Sequence, residues 1–483
     1  NRTMQTRVSS YFELGRNQPS LDFVDVDIHG DTRVFVDPMA LRLLPSPWAS
    51  HCVCLVQSFF GSVLKAIEVD DEATGRSLLG CLHEPNETHL GLSRGRAKGR
   101  ALGMHLARDV WDSLKRSEAA KTGLLEDLED AVLMIEGISS DIISDMTTNI
   151  IREPLIEYTE RMCLQYGIPL ENAVDSGPLW NRESRLWENQ FVRLPVTEHG
   201  KLLLIPKSIV RRRMEYDEQE YFRDYILPCL MERELSANTK LVRLLKSGTR
   251  RVYKKDLIAR YGSGKAVAIR ETLRNPQVLD KYRRDRRRAP RPPLSHYDLA
   301  DSQVGGVEPD WDSLLKTVLA LPTGRQAAPD YEDAIEQLLT AVFYPSLADP
   351  IVQHEIHDGR KRVDITYTNM AISGFFYWLS QHYCAQHIFV ECKNYGTDVA
   401  NPELDQLSGR FSPSRGRCGI LVSRSFQDKN LFERRCQDTA KDDRGFIISL
   451  DDDDLRILTE ARKADDSKMQ FDFLKAKFNK LVM

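Results

Sequence analysis

Hydrophobic and polar residues alternate along two stretches near the N-terminus, residues 21–28 and residues 32–37. The turn-forming sequence His29-Gly30-Asp31 separates the two stretches. Alternation with a period of two on both sides of a short turn is typical of a β-hairpin, because successive side chains of a strand point to opposite faces. We therefore expect a hairpin over residues 21–37.

Apolar residues recur at helical spacing over much of the N-terminal chain that follows. The spacing predicts helices over residues 50–68, 101–116 and 216–235. Residues 123–166 form a longer helical region in which we expect breaks at Gly137 and Pro154. A short apolar run over residues 201–206 predicts a buried strand. These elements indicate an α+β region.

The pattern changes beyond residue 310. One clean helical stripe over residues 330–343 has apolar side chains at positions 331, 335, 338, 339 and 342. Short apolar runs predict strands over residues 362–367, 387–393, 419–423 and 445–450. Between and after them, helical segments are expected over residues 402–411, 430–441 and 453–463. Strands that alternate with helices predict an α/β domain around a mixed central sheet, buried on both faces.

A basic run at residues 283–288 passes directly into a proline-rich segment at residues 289–294. Prolines packed this densely after a charge run mark a boundary between domains. We therefore expect an α+β N-terminal region over residues 1–285, a linker over 286–310 and an α/β domain over 311–483. The fold class of the whole chain is α/β.

Composition narrows the class of protein. The chain has 483 residues, of which 41% are hydrophobic and 29% charged, so it is long enough to bury more than one core. Its nine cysteines form no CxxC pair, which argues against a zinc module or a disulfide framework. Apolar runs fall short of the roughly 20 residues that span a bilayer. We expect a soluble cytoplasmic protein without a membrane partner.

Charge is distributed unevenly along the chain. Residues 240–291 carry 18 Lys or Arg against 4 Asp or Glu, a balance of +14, so the remainder must carry −18 to give the overall −4. A local excess of basic residues is the usual means of attracting a nucleic-acid backbone. We expect phosphate contacts from the arginines of the basic run, Arg283, Arg284, Arg286, Arg287 and Arg288. The alternative is that these arginines pair with acidic residues of the same protein, as a clamp between domains or subunits.

The most informative string is Ile388-Phe-Val-Glu-Cys-Lys-Asn394. On a strand, Glu391 and Lys393 share one face, while Cys392 points to the other. Asp364 lies on the preceding predicted strand and can come beside them. Two carboxylates with nearby oxygen ligands suit Mg²⁺, and a neighbouring lysine can position water or offset negative charge on a phosphate.

These residues resemble the motif of the PD-(D/E)XK nuclease superfamily, whose members share the restriction-endonuclease-like fold. The resemblance covers about residues 325–455. It implies that Asp364 and Glu391 bind Mg²⁺, for which Mn²⁺ can substitute, and that Lys393 is the catalytic lysine. It also implies a third metal ligand on the first helix, for which we favour Glu332 over Glu336. Gln406 matches the polar residue that often follows on the next helix.

The resulting hypothesis is a Mg²⁺-dependent endonuclease that acts on DNA. By analogy it is an effector of prokaryotic antiviral defence, whose N-terminal region senses a trigger, regulates cutting or forms a homo-oligomer or a complex with a defence partner. Two alternatives stay open. One is a catalytically silent subunit that binds nucleic acid or acts as a scaffold, and the other is an RNA nuclease.

Acidic residues of the N-terminal region form a second group of candidates, without an assigned reaction. Asp25, Asp27 and Asp37 belong to the predicted hairpin, and Asp141 and Asp145 are spaced to share one helix face. Like charges at this spacing are mildly unfavourable and suggest a partner cation, an arginine or a ligand. The alternative is an exposed acidic face.

Overall fold

The computed structural model describes residues 6–91, 99–356, 361–395 and 399–483. The fold is of the mixed α/β class, rich in helix, with a five-stranded mixed sheet in the C-terminal part, as the sequence predicts.

The N-terminal part is mostly helical. Its α-helices are Val8–Tyr11, Pro38–Leu43, Pro47–Glu68, Glu72–Leu79, Gly99–Arg116, Glu118–Lys121, Asp130–Met134, Ser140–Ile150, Arg152–Tyr166, Glu218–Tyr221, Leu227–Ser236, Lys254–Tyr261, Lys265–Arg274, Gln277–Arg288 and His296–Asp301. A π-helical turn, Phe222–Ile226, joins two of them. Short strands form two-stranded pairs: Phe35–Val36 with Val210–Arg211, Glu171–Asp175 with Phe191–Leu194, Leu179–Asn181 with Leu186–Glu188, Val196–Thr197 with Gly200–Lys201, and Arg243–Leu244 with Arg250–Arg251.

Helix Pro47–Glu68 is central to the first hydrophobic core. Ser46 caps its N-terminus by accepting a hydrogen bond from the backbone N–H of Ala49, and Pro47 occupies the first turn, where no helical hydrogen bond is lost. Among the described residues it is the one helix long and apolar enough to cross a membrane by length and composition. It buries a stripe that includes Leu55, Phe59 and Val63 in this core.

The predicted N-terminal hairpin is wrong. Strand Phe35–Val36 pairs with Val210–Arg211, and residues 21–28 make only isolated bridges, to Arg7 and Pro206. Alternation misleads here because residues 21–26 are all buried, the polar ones included. Asp22 accepts a hydrogen bond from the Tyr158 hydroxyl at 2.6 Å, so its carboxylate is satisfied inside the core.

Other N-terminal predictions are closer. Helices at residues 50–68, 101–116 and 216–235 are confirmed, with small changes in their ends. The break at Gly137 is present, where φ is +83°. The second expected break is also present, at Ile151 between the helices Ser140–Ile150 and Arg152–Tyr166, so that Pro154 lies in the first turn of the later helix, where its missing N–H costs no hydrogen bond. Residues 202–205 are buried as expected, but the strand itself is only Gly200–Lys201.

The C-terminal part is built around the five-stranded sheet. Its strands, in spatial and chain order, are Leu347–Ile356, Lys361–Asn369, His387–Lys393, Cys418–Ser423 and Phe446–Leu450. Neighbours among the first three strands run antiparallel, and the last three strands run parallel to one another. The helices are Trp311–Ala320, Ala328–Phe343, Gly374–His382, Asn401–Ser408, Lys429–Lys441, Asp452–Lys463 and Ser467–Val482.

The third strand, His387–Lys393, is called the central strand below, and Lys361–Asn369 the second strand. Almost every residue of the central strand is buried, and so is all of Cys418–Ser423. Consecutive buried residues on a strand require cover on both faces of the sheet. Helices pack against the sheet accordingly, as the sequence predicts.

The N-terminal and C-terminal parts touch along the helix Ala328–Phe343. The turn Gln18–Ser20 packs against it, and Arg16 forms ion pairs with its Asp333 and Glu336. The segment predicted as linker, 286–310, includes the end of one helix and another short helix, and its Leu294 and Leu299 belong to the first core.

Candidate active site

The second and central strands bring Asp364 beside Glu391. Ile365 pairs with Val390, so the residues one step further along the antiparallel ladder lie opposite each other on one face. The Asp364 carboxylate accepts a hydrogen bond from the backbone N–H of Cys392 at 2.8 Å. This bond fixes Asp364 at the edge of the central strand.

Glu391 and Lys393 form an almost buried pair. The Nζ atom of Lys393 lies 2.9 Å from Oε1 of Glu391, and the lysine and glutamate are 8% and 1% exposed, respectively. The same ammonium donates to Oε1 of Gln406 at 3.3 Å, from the helix Asn401–Ser408. The lysine is therefore held between a carboxylate and an amide oxygen.

The second carboxylate oxygen of Glu391, Oε2, is the atom of the site whose hydrogen bonding is not satisfied among the described residues. Oε2 is buried, and no side chain or backbone group in the described part of the chain donates a hydrogen bond to it. A buried carboxylate oxygen without a donor is costly, and a cation is one way to satisfy it. Burial raises the pKa of Glu391, and the nearby Asp364 charge raises it further, while the Lys393 ammonium acts in the opposite direction.

Lys393 stays charged in this setting. Burial alone lowers the pKa of an ammonium, yet the Glu391 carboxylate more than offsets it, and the pKa of Lys393 lies above its usual value. The lysine is therefore a hydrogen-bond donor and a positive charge at neutral pH, rather than a base.

The two candidate glutamates of the first helix have different surroundings. Glu332 accepts a hydrogen bond from Gln353 on the neighbouring strand, and its charge acts on Cys392 of the central strand together with those of Asp364 and Glu391. Glu336 is fully buried and is taken up by an ion pair with Arg16 and a hydrogen bond from Thr340 at 2.8 Å.

Residues that the sequence analysis did not select hold the ends of the elements that form the site. The Asn394 amide, directly after Lys393, donates to the carbonyls of Pro322 and Gly324 at 3.0 and 3.1 Å. Arg424 donates to Asn394 and lies over the ring of Tyr331, 5.4 Å from its centroid. These contacts tie the start of helix Ala328–Phe343 to the end of the central strand. The one sequence signal for these contacts is the asparagine that directly follows Glu391-Cys392-Lys393.

The five arginines predicted to bind nucleic acid are divided. Arg283 is 5% exposed and pairs with Asp130 at 2.5 Å, so it is not available for phosphate, contrary to the sequence prediction. Arg286 pairs with Glu220 at 3.2 Å and Arg287 with Asp127 at 3.5 Å. Arg284 and Arg288 are exposed. The acidic partners of the other three arginines all lie in the N-terminal part. Arg283, Arg286 and Arg287 therefore pair with acidic residues of the same protein, as the alternative supposed, but within one region rather than between domains.

The acidic candidates of the N-terminal region are mostly structural. Asp25 accepts hydrogen bonds from the backbone and hydroxyl of Ser9, and Asp37 caps the helix Pro38–Leu43. Asp145 differs, because burial and the charges of Glu84, Asp141 and Asp31 raise its pKa to about 8.

A family described as Domain of unknown function (DUF8370) matches residues 13–217. No curated protein and no solved structure matches the chain. The matched segment lies wholly N-terminal to the site around Glu391, so the chemistry of that site is argued from its own residues.

Proposed function

We propose that this protein is a Mg²⁺-dependent nuclease of the PD-(D/E)XK type, and that its C-terminal part hydrolyses phosphodiester bonds, with DNA as the expected substrate. One observation carries the proposal. Asp364 and Glu391 meet beside Lys393 at the end of a buried strand, with the Oε2 atom of Glu391 left without a hydrogen-bond donor among the described residues.

Asp364, Glu391 and Glu332 would hold the metal, since carboxylate oxygens are what Mg²⁺ prefers. Bound there, Mg²⁺ would polarise the phosphate and supply a reactive water. Lys393 donates hydrogen bonds toward the reacting phosphate and offsets the negative charge that develops on it. Gln406 limits the positions of the lysine by accepting a hydrogen bond from one of its three N–H groups.

Glu332 is the preferred ligand on the first helix. The carboxylate of Glu336 is neutralised by Arg16 and accepts a hydrogen bond from Thr340, so its use as a ligand would leave Arg16 with only the exposed Asp333 as a charged partner among the described residues.

We assign the DNA-binding surface to the segment that precedes the arginine run, rather than to the run itself. The hairpin formed by Arg243–Leu244 and Arg250–Arg251, with the helix Lys254–Tyr261, contains seven basic residues against one acidic residue. Arg250, Arg251, Lys254 and Lys255 are exposed. These exposed cations have no fixed arrangement that would match the edges of particular bases. They are therefore suited to contacts with the phosphates of the nucleic-acid backbone.

A catalytically silent nucleic-acid-binding subunit is the second candidate. It is favoured by the Glu391–Lys393 ion pair, which satisfies one carboxylate oxygen without any metal. A role in antiviral defence and a homo-oligomeric state belong to the proposal by analogy only.

Cleavage assays separate these candidates. Purified protein is incubated with plasmid DNA and with a short RNA, each with Mg²⁺, with Mn²⁺ and with EDTA, and the Lys393→Met variant serves as the control for a contaminating nuclease. Metal-dependent cutting of DNA that the variant lacks supports the proposal. Binding without cutting in any metal would favour the silent subunit, and cutting of RNA alone would reassign the substrate.

A further inference from the structure

Three loops of the N-terminal part meet around a cavity of about 330 Å³ that is separate from the nuclease site. His29 and Asp31 come from the first loop, His89 from the second and His199 from the third. Three of the chain's 11 histidines are thus gathered at one place, within the segment that matches the family of unknown function.

The ring nitrogens of two of these histidines face each other. Nε2 of His199 lies 2.7 Å from Nδ1 of His29 and 3.3 Å from Oε1 of Glu198. His29, Glu198 and His199 can each offer a ligand atom, and these atoms lie within 4.8 Å of one another. Zinc bonds of about 2.0 to 2.1 Å place neighbouring ligand atoms roughly 3.3 Å apart, so small side-chain movements would suffice to enclose an ion.

Local structure holds each histidine in its loop. The backbone N–H of His29 donates to Asp27 at 3.0 Å, and that of His199 donates to Thr197 at 3.2 Å, in the turn between two paired strands. His89 has a left-handed backbone with φ of +51°, which is uncommon outside glycine and clusters at functional positions.

The electrostatic surroundings favour a cation. The carboxylates of Asp31 and Asp27 lie near enough to the His89 ring, beside His29 and His199, to act on it electrostatically. Negative charge at the edge of the cavity attracts a cation.

We propose that this cavity is a binding site for a divalent transition metal of the zinc class, with His29 and His199 as nitrogen ligands and Glu198 as an oxygen ligand, and with His89 and Asp31 at its edge. Imidazole nitrogens select zinc-class metals over Mg²⁺, whose preferred ligands are oxygens. The cavity leaves room for a water or a small ligand as a fourth partner, the arrangement of an open zinc site. A simple hydrogen bond between the two imidazoles is the competing explanation of their contact.

Metal binding by the full-length, untagged protein tests this site. Zn²⁺ affinity is measured by competition with a chromogenic chelator, and Co²⁺ is added separately to record the visible absorption of a bound ion. We expect His29→Asn and His199→Asn each to weaken Zn²⁺ binding by at least roughly tenfold, a reduction typical even of outer partners of a metal site. His51→Asn, which changes an exposed histidine elsewhere in the same region, should bind like the wild type.

The same measurements on Asp364→Asn keep the two sites apart. The nuclease proposal can fail without changing the zinc result, because Asp364→Asn should retain the Co²⁺ spectrum that His199→Asn loses. Wild-type protein that binds no Zn²⁺ at micromolar concentration would overturn the site, and so would histidine variants that bind as tightly as the wild type. Circular dichroism of each variant shows whether weaker metal binding reflects an unfolded protein instead.

Discussion

Arg16 forms a buried ion pair with Glu336, and this pair links the N-terminal part to the helix that carries Glu332. The side chains of the two paired residues are 9% and 1% exposed. The position of Glu332, the proposed metal ligand on this helix, therefore depends partly on a residue of the N-terminal part, whereas Asp364, Glu391 and Lys393 lie on the sheet.

Removing Arg16 should destabilise the protein strongly. Arg16→Ala leaves the Glu336 carboxylate buried without its cation, and such changes cost about 3 to 5 kcal/mol. Chemical denaturation checks the free energy of unfolding. Glu336→Gln in the same chain should restore part of the stability, because the uncompensated charge is then gone. Equal stability of Arg16→Ala and the wild type would contradict the importance of the pair.

The sequence predicted the sheet best where the chain is uniformly apolar. The central strand and Cys418–Ser423 are buried runs whose ends lie within one residue of those that the pattern predicts. The strand Leu347–Ile356 was missed because Asp349 and Pro350 interrupt its pattern. Asp349 and Gln353 have positive φ, a departure from the extended backbone that leaves no periodic signal in the sequence.

The candidate site was predictable to the extent that its residues are close in sequence. Glu391 and Lys393 share a strand face, and their contact follows from spacing alone. The neutralisation of Glu336 depends on Arg16, which is 320 residues away in the chain. The burial of Arg283 against Asp130 is equally non-local, so composition could not distinguish it from the exposed Arg284.

Substitution of the strand carboxylates should abolish cleavage while the fold is kept. We expect Asp364→Asn and Glu391→Gln to lower the rate of plasmid cutting at least roughly 100-fold, the scale of removing one preorganised electrostatic interaction. Both changes are nearly isosteric, so the fold should be kept. Glu391→Gln also removes the counter-ion of the nearly buried Lys393, so it should lower the melting temperature more than Asp364→Asn. Asp405→Asn, an exposed neighbour, is the matched control. Full activity in either site variant would remove the assignment.

The two glutamates of the first helix should separate activity from stability. Glu332→Gln is expected to lower cleavage with little change in the melting temperature, because it removes a proposed ligand. Glu336→Gln should lower the melting temperature with a smaller effect on cleavage, because it leaves Arg16 with only the exposed Asp333 as a charged partner in the described part of the chain. Paired measurements of cleavage rate and melting temperature decide, and the opposite order would move the metal site one helical turn.

The hairpin and its following helix should set the salt dependence of DNA binding. Reversing charge at Arg250, Lys254 and Lys255 should weaken binding to all sequences alike and reduce the salt slope by roughly 0.9 for each DNA phosphate that the variant no longer neutralises. A triple reversal at the exposed residues Lys65, Arg108 and Lys121 matches the change in net charge and serves as the control. Fluorescence anisotropy over a range of salt concentrations measures both slopes. If the two triple variants have equal salt slopes, the weaker DNA binding is caused by the change in net charge and not by the loss of this surface.

Asp145 should make stability fall as pH rises. Its pKa is about 8 in the folded protein, mainly because of burial, against about 3.9 for an unperturbed aspartate. The folded state therefore holds a proton that the unfolded state releases above pH 4, and the resulting stability is present below pH 4 and is lost as pH approaches 8. Compared with the wild type, Asp145→Asn should gain about 2 kcal/mol between pH 5 and pH 8, after allowance for partial solvent exposure. Urea denaturation at both pH values measures this gain. Asp109→Asn, at an exposed position, should show none. A constant difference between Asp145→Asn and the wild type across this range would mean that the carboxyl of Asp145 is already ionised at pH 5, and that the acidic neighbours around it do not hold its proton.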